Sequence, residues 1–148
     1  METLGSLIDK LSVVKLKQYH THLGDRERHD NLAMQERDLI HEISDYLRDA
    51  ISGKIPNEKL SVKQNKIHIG MADPDIYFGN IGNLMSMLAQ ANCEIWHCQE
   101  KLYNFKAIPP EDKDVVVEAI SRENLKRTRC IEGINIKLQE MMNDESRS

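Results

Sequence analysis

Apolar residues recur along this chain with a helical period, and in two segments they fall on two sides of the same helix. Leu4, Leu7, Leu11 and Val14 share one stripe at about 100° per residue. Asp9, Val13, Leu16 and His20 share a second stripe on roughly the opposite side. A helix patterned in this way is expected to be sandwiched, by its own bundle or by a second chain. Asp9 and His20 interrupt the second stripe, where an ionisable side chain is costly unless paired. The pattern predicts a first helix over residues 3–22, with Thr3 as N-cap and Gly24 as terminator. A second helix is expected over 25–52, capped by Asp25 and stopped by Gly53. Its inward stripe reads Leu32, Leu39, Ile40, Ile43, Leu47 and Ala50, and Glu36 breaks it.

Residues 53–72 lose the helical period. They carry Pro56, Lys54, Lys59, Lys63, Lys66 and His68 against the single acid Glu58, and read as a long basic loop. Loops of that length in a compact domain are usually functional or disordered. Within it, Lys66 to Gly70 alternates as a short extended piece would. Asp73-Pro74-Asp75 is a helix-start signal, predicting a third helix over 73–106 with a bend near Gly79 and Gly82. Its main face is Leu84, Met87, Leu88, Ala91, Ile95, Cys98, Leu102 and Phe105, and a second stripe is Met85, Ala89, Trp96 and Tyr103. Pro109-Pro110-Glu111-Asp112 opens a fourth helix over 110–143. Its heptad-like seam is Val117, Ile120, Asn124, Arg127, Ile131, Ile134, Leu138 and Met141. The remaining tail, 143–148, reads as frayed.

The expected fold is therefore all-α and a single domain over 1–148: a four-helix, bundle-like arrangement of two helical hairpins joined by the basic loop. Two-sided burial of the first and third helices predicts a homo-oligomer. These two helices also look like copies, since Gly5, Leu7, Leu11, Tyr19 and His20 align at one constant spacing with Gly82, Leu84, Leu88, Trp96 and His97. A real duplication would relate the copies by a pseudo-two-fold and place His20 and His97 in equivalent environments.

Composition narrows the function classes. At 148 residues, 40% apolar and 30% charged, the chain has ordinary globular composition. A net charge of −4 argues against general duplex nucleic-acid binding. Cys93, Cys98 and Cys130 form no CxxC pair and read as core thiols of a reducing, cytoplasmic compartment. Glu2 and Asp9 interrupt any signal peptide, and no apolar run approaches the ~20 residues of a membrane span, so no membrane partner is expected.

Three chemistries compete for the polar residues. Glu94-x-x-His97 has the spacing of a di-iron carboxylate helix, and Asp38-x-x-His41 resembles a partner, but the phases of the two disagree. An all-helical, Mg²⁺-dependent nucleotide pyrophosphatase needs paired carboxylates on two helices. Glu42-x-x-Asp45 offers only one such pair. A non-catalytic anion site draws on Lys10 and Lys17 along the first helix, Arg122, Lys126, Arg127 and Arg129 on the fourth, and the lysine-rich loop. Trp96 or Tyr19 would stack a base. The competing structural reading of Arg127 pairs it with Glu36 between the second and fourth helices.

The run Thr3-Leu-Gly-Ser-Leu-Ile-Asp-Lys-Leu-Ser-Val-Val-Lys-Leu-Lys-Gln-Tyr-His20 resembles the opening signature of an uncharacterised family of small all-helical proteins from bacteria and phages. Bacterial members often lie near sugar or glycosyltransferase genes. Where relatives carry a tryptophan before the last histidine, this chain has Tyr19. The resemblance implies a compact helical protein handling nucleotide-like or sugar-nucleotide ligands, and it supplies no catalytic residues. The expectation is a binding protein without turnover, of the kind that sequesters a phosphorylated small molecule such as a nucleotide-derived signal. Its contacts are expected from Asp9, Lys10, His20, Lys63, Lys66, His68, Trp96, His97 and Arg127. No cofactor is expected; Mg²⁺ belongs to the hydrolase alternative, and a purely structural oligomer is the third reading.

Overall fold

The computed structural model describes residues 2–61 and 79–147, with side chains as far as Asp144. Four helices account for most of them: α1 (Leu4–His20), α2 (Arg26–Ile51), α3 (Ile81–Tyr103) and α4 (Pro110–Arg147). Single 3-10 turns lie at Asn57–Lys59 and Phe105–Ala107, and no strand occurs among the described residues. None of the helices is long and apolar enough to cross a membrane.

Local signals explain most of the boundaries. The Thr3 hydroxyl accepts from Ser6 N and the Asp25 carboxylate from Arg28 N, so both expected N-caps are made. Gly53, at φ 84°, ends α2 in the left-handed region that suits glycine. Gly24 does not play that part: α1 stops earlier, at His20, with extended Thr21 as its C-cap. The third helix is not continuous from residue 73, because Gly79 and Asn80 are non-helical and the Asn80 side chain caps α3 by accepting from Asn83 N at 2.8 Å. The Asp73-Pro74-Asp75 signal lies outside the described residues. Pro110 opens α4 as expected, and α4 runs on through the anticipated frayed tail to Arg147. Residues 53–61 are not simply loop, since Ile55 and Leu60 are buried in the core. The 3-10 turn there is pinned to α4 by Gln139 Nε2 donating to Asn57 O at 2.6 Å.

The helices pack as a bundle in which α1 is the shared element. It contacts α2, α3 and α4, whereas α2 packs almost entirely on α1 and α3 pairs extensively with α4. Leu4, Leu7 and Val14 of α1 join Leu32, Leu39 and Tyr46 of α2, Leu84 and Leu88 of α3, and Ile131, Ile134 and Leu138 of α4 in one core. Each such side chain, fully buried, contributes about 1.5–3 kcal/mol of transfer free energy. Only Lys10, Lys15, Tyr19 and His20 of α1 are exposed. Helices of the same chain thus cover most of both stripes, but His20, at the end of the second, is exposed rather than enclosed as expected.

Two seams differ from expectation. Ile40 is exposed and Tyr46, about one turn before Ala50 on the same side of α2, is buried instead. On α4, Val117 and Met141 are exposed, and Val116, Leu125 and Cys130 are buried. A single heptad seam assumes one covered side, yet every residue from Cys130 to Asn135 is buried. Gly5 shows how close α1 and α4 come: a Cβ there would collide with the Ile131 carbonyl oxygen. Gly5 N donates to Asn135 Oδ1 at 2.8 Å, and Asn135 Nδ2 donates to Thr3 Oγ1 at 3.0 Å, so the start of α1 is fastened to α4.

Candidate functional site

Of the two ionisable residues in the second stripe of α1, Asp9 is enclosed and paired, whereas His20 is exposed. Asp9 is 6% exposed. Its Oδ1 accepts from Asn92 Nδ2 of α3 at 2.9 Å and from Arg127 Nε of α4 at 2.8 Å, and its Oδ2 accepts from Arg127 Nη2 at 2.6 Å. One carboxylate therefore ties three helices through a two-point guanidinium fork. The hydrogen bond to Asp9 holds the Arg127 guanidinium still more firmly protonated, against the opposing effect of burial.

The expected Glu36–Arg127 pair is not made. Glu36 instead accepts from Lys15 Nζ at 2.7 Å across α1 and α2, a contact that keeps its carboxyl below the usual range. The reason is topological: α2 reaches α1, while Arg127 on α4 faces α1 from another side. Lys10 is likewise engaged, by Glu2, whose carboxylate is held down by Lys10 and Ser6. Arg129 pairs with Glu132 at 3.0 Å.

Beside Asp9 a groove of about 390 Å³ runs between α1, α2 and α4. Its walls carry Lys10, Lys17 and Arg127 together with Asp38 and Glu42, so positive and negative groups nearly balance. At its end Lys17 also enters a second cleft, of about 260 Å³, where α1 turns into α2. There the balance changes. Lys17 and Arg28 converge on the cleft with Asp25 as the acid nearby, and one Asp25 oxygen is occupied by Arg28 N at 3.1 Å. His22, whose Nδ1 accepts from Gly24 N at 3.1 Å, lines it as a neutral imidazole. Lys17 and Arg28 form no ion pair among the described residues. The first turn of α2 lies at this cleft, with the N–H groups of Arg26, Arg28 and His29 bonded to Gly24 O, Asp25 Oδ1 and Asp25 O.

His20 and Trp96 close this cleft on the α3 side. Their rings stack with centroids 4.6 Å apart and planes 23° from parallel, and Tyr19 meets His20 edge-on at 5.2 Å. His20 Nδ1 lies 2.8 Å from Leu16 O, and since a carbonyl only accepts, this nitrogen carries the proton. Trp96 Nε1 donates to Glu100 Oε1 at 2.7 Å, and the same oxygen is 3.8 Å from His20 Nε2.

The sequence-derived ligand set is thus divided by the fold. Asp9, Lys10 and Arg127 line the balanced groove, and His20 and Trp96 meet at the cationic cleft. His97 sits in a separate 600 Å³ cleft between the end of α3 and the start of α4, beside Glu100, Lys101 and Asp112. The environments of His20 and His97 therefore differ. Lys63, Lys66 and His68 lie outside the described residues. Arg28 and His22 were not anticipated as contacts. Their signal was available, because a tight connection between two helices brings the last turn of one beside the first turn of the next. Among the described residues, no three His, Cys, Asp or Glu side chains cluster to hold a metal ion; Glu94 accepts from Gln90 at 2.9 Å instead.

A fourth depression, larger than these three, is of another kind. About 1030 Å³ of open groove lies between α1, α2 and α3, lined by Ile8, Leu11, Leu16, Tyr19, Ala33 and Ala89 together with exposed Cys93. Fold and clefts together define an all-helical bundle with a cationic pocket at one helix turn. No protein-family model, curated protein or solved structure matches the chain.

Proposed function

We propose that this chain is a binding protein without turnover for a phosphorylated small molecule, such as a nucleotide or a nucleotide-derived signal. The ligand's phosphate lies in the cleft where α1 meets α2. What supports this reading is the set of Lys17, His22 and Arg28 around one opening, with no ion pair to Lys17 or Arg28 among the described residues. Phosphate oxygens are the ligand such a set takes, because a guanidinium fork and an ammonium satisfy them at low cost in desolvation. The groove continuing past Lys17 toward Arg127 leaves room for the rest of the molecule. On this reading, sequestration in the cytoplasm, by two helical hairpins joined through the basic loop, is the biological role. The rival metal-dependent hydrolase requires a carboxylate cluster, and the described residues bring none together.

Titration calorimetry with inorganic pyrophosphate and ADP at low salt tests the proposal. Binding by the wild-type chain, lost in Lys17→Ala and Arg28→Ala, is the expected outcome, and no binding of either probe overturns it. Incubating ADP with protein and Mg²⁺, then denaturing, separates the classes: intact ADP is expected, and products would establish the hydrolase. Self-association is proposed as well, on account of the open apolar groove with exposed Tyr19 on its wall. Light scattering at micromolar concentration tests it, and a monomer mass overturns it.

A further inference from the structure

Resting on the phosphate reading above, we infer that the Trp96 indole face is the stacking subsite for a nucleobase, and that His20 is its internal occupant, displaced when a nucleoside phosphate binds. A planar imidazole stacked at 4.6 Å, nearly parallel to the indole, shows that the face accepts a flat heteroaromatic ring from the cleft side. His20 is the last residue of α1, followed by extended Thr21, so its side chain is free of a further helical turn. Moving it breaks one side-chain hydrogen bond, to Leu16 O, the stack itself, the edge contact with Tyr19 and the 3.8 Å approach to Glu100. An incoming base restores the stack and offers more ring surface than an imidazole. Trp96 does not move with it, since Nε1 is held by Glu100 at 2.7 Å and the residue sits midway along α3. The same cleft supplies Lys17 and Arg28 for the phosphates, so base and phosphate are engaged at one opening. This makes the ligand class a nucleoside phosphate rather than a phosphorylated sugar.

Trp96 is the only tryptophan of the chain, and its fluorescence reports the subsite directly. Three probes are titrated: inorganic pyrophosphate, ribose 5-phosphate and ADP. The expected result is that ADP binds about ten-fold more tightly than the other two, the advantage of one base on an aromatic face, and that it alone quenches the indole. Trp96→Leu is expected to abolish the ADP advantage while pyrophosphate still binds, and His20→Ala to raise the ratio of ADP to pyrophosphate affinity several-fold. Circular dichroism confirms that each variant is folded, and Trp96→Phe, which keeps a stacking face, retains most of the ADP advantage. Equal affinities for ADP and pyrophosphate, or an ADP advantage that survives in Trp96→Leu, overturn the inference and leave the phosphate reading standing. Absence of binding by all three probes overturns both.

Discussion

The two sides of α1 divide the molecule's polar and apolar business in an unexpected way. One side carries Asp9, Lys10, Val13 and Lys17 and faces a charged groove crossed by Arg127. The other carries Ile8, Leu11, Lys15 and Tyr19 and faces an open apolar groove. The charged side is the better fastened: Asp9 is locked to α3 and α4, and Lys10 is held by Glu2. The apolar side is the one left open. Asp9, Lys10 and Arg127, which look like ligand contacts in the sequence, are therefore committed to the fold. Lys17 and Arg28 stand at the end of the helix, in the cleft where α1 turns into α2.

The largest expected effect tests the fastening. Arg127→Ala leaves a buried carboxylate with only Asn92, and unfolding in urea is expected to show a loss of about 3 kcal/mol. That is the low end for a broken buried pair, because the guanidinium keeps about a third of its surface in water. Replacing both partners by apolar residues, Asp9→Leu with Arg127→Met, is expected to recover much of the loss, since neither charge is then stranded. Tyr19→Ala on the other side, at an 86% exposed position, is expected to change stability little. Equal losses on the two sides would remove the distinction between them.

Gly5 offers the next largest effect and shows where the sequence was legible. Gly5→Ala is expected to cost about 1–3 kcal/mol in a thermal or urea melt, because the added methyl meets the Ile131 carbonyl, which is backbone and cannot swing aside. Gly82, its counterpart in the apparent repeat, has only Asn80 Oδ1 at 3.6 Å from such a methyl. Gly82→Ala is therefore expected to be neutral or to stabilise by about 0.4–1 kcal/mol. The helices, the Thr3 and Asp25 caps, the Gly53 stop and the two-sided stripe of α1 were all readable, because each depends on spacing within one segment. The resemblance of Gly5 to Gly82 was also local, and it did not carry their packing. Asp9 and Arg127 were both visible as polar breaks in apolar stripes. Their pairing was not, because it depends on α4 rather than α2 lying against that side of α1. Asn92 and Asn135 give no periodic signal at all, and the cleft formed by Lys17, His22 and Arg28 exists only once the α1–α2 turn is folded.

Alkali acts on the core that both sides share. Burial pushes the Cys130 thiol up to about 11 from an ordinary 9.0, and raises the Tyr46 hydroxyl as well. Both groups prefer to stay neutral when folded, so the unfolded chain releases its protons first. The contribution of Cys130 is intact below about pH 9 and is lost as pH rises toward about 11, and Tyr46 acts in the same direction. Urea midpoints measured from pH 8 to 11 are expected to fall, and the slope in Cys130→Ala should be shallower, whatever that variant's stability at neutral pH.

The smallest effect involves no change in stability, and it probes whether the apolar side is open in solution. Cys93 is exposed beside Ala89 in that groove, while Cys98 and Cys130 are buried. Dilute native protein is expected to react with a thiol reagent at Cys93 within minutes and at the other two only on unfolding. If a second copy covers the groove, raising the protein concentration will slow Cys93 labelling in step with the growth in mass seen by light scattering. Labelling that stays fast at every concentration, beside a mass that grows, would place the contact between copies elsewhere. Slow labelling at every concentration, with a monomer mass, would mean that the groove closes on itself and that α1 is fastened on both sides alike.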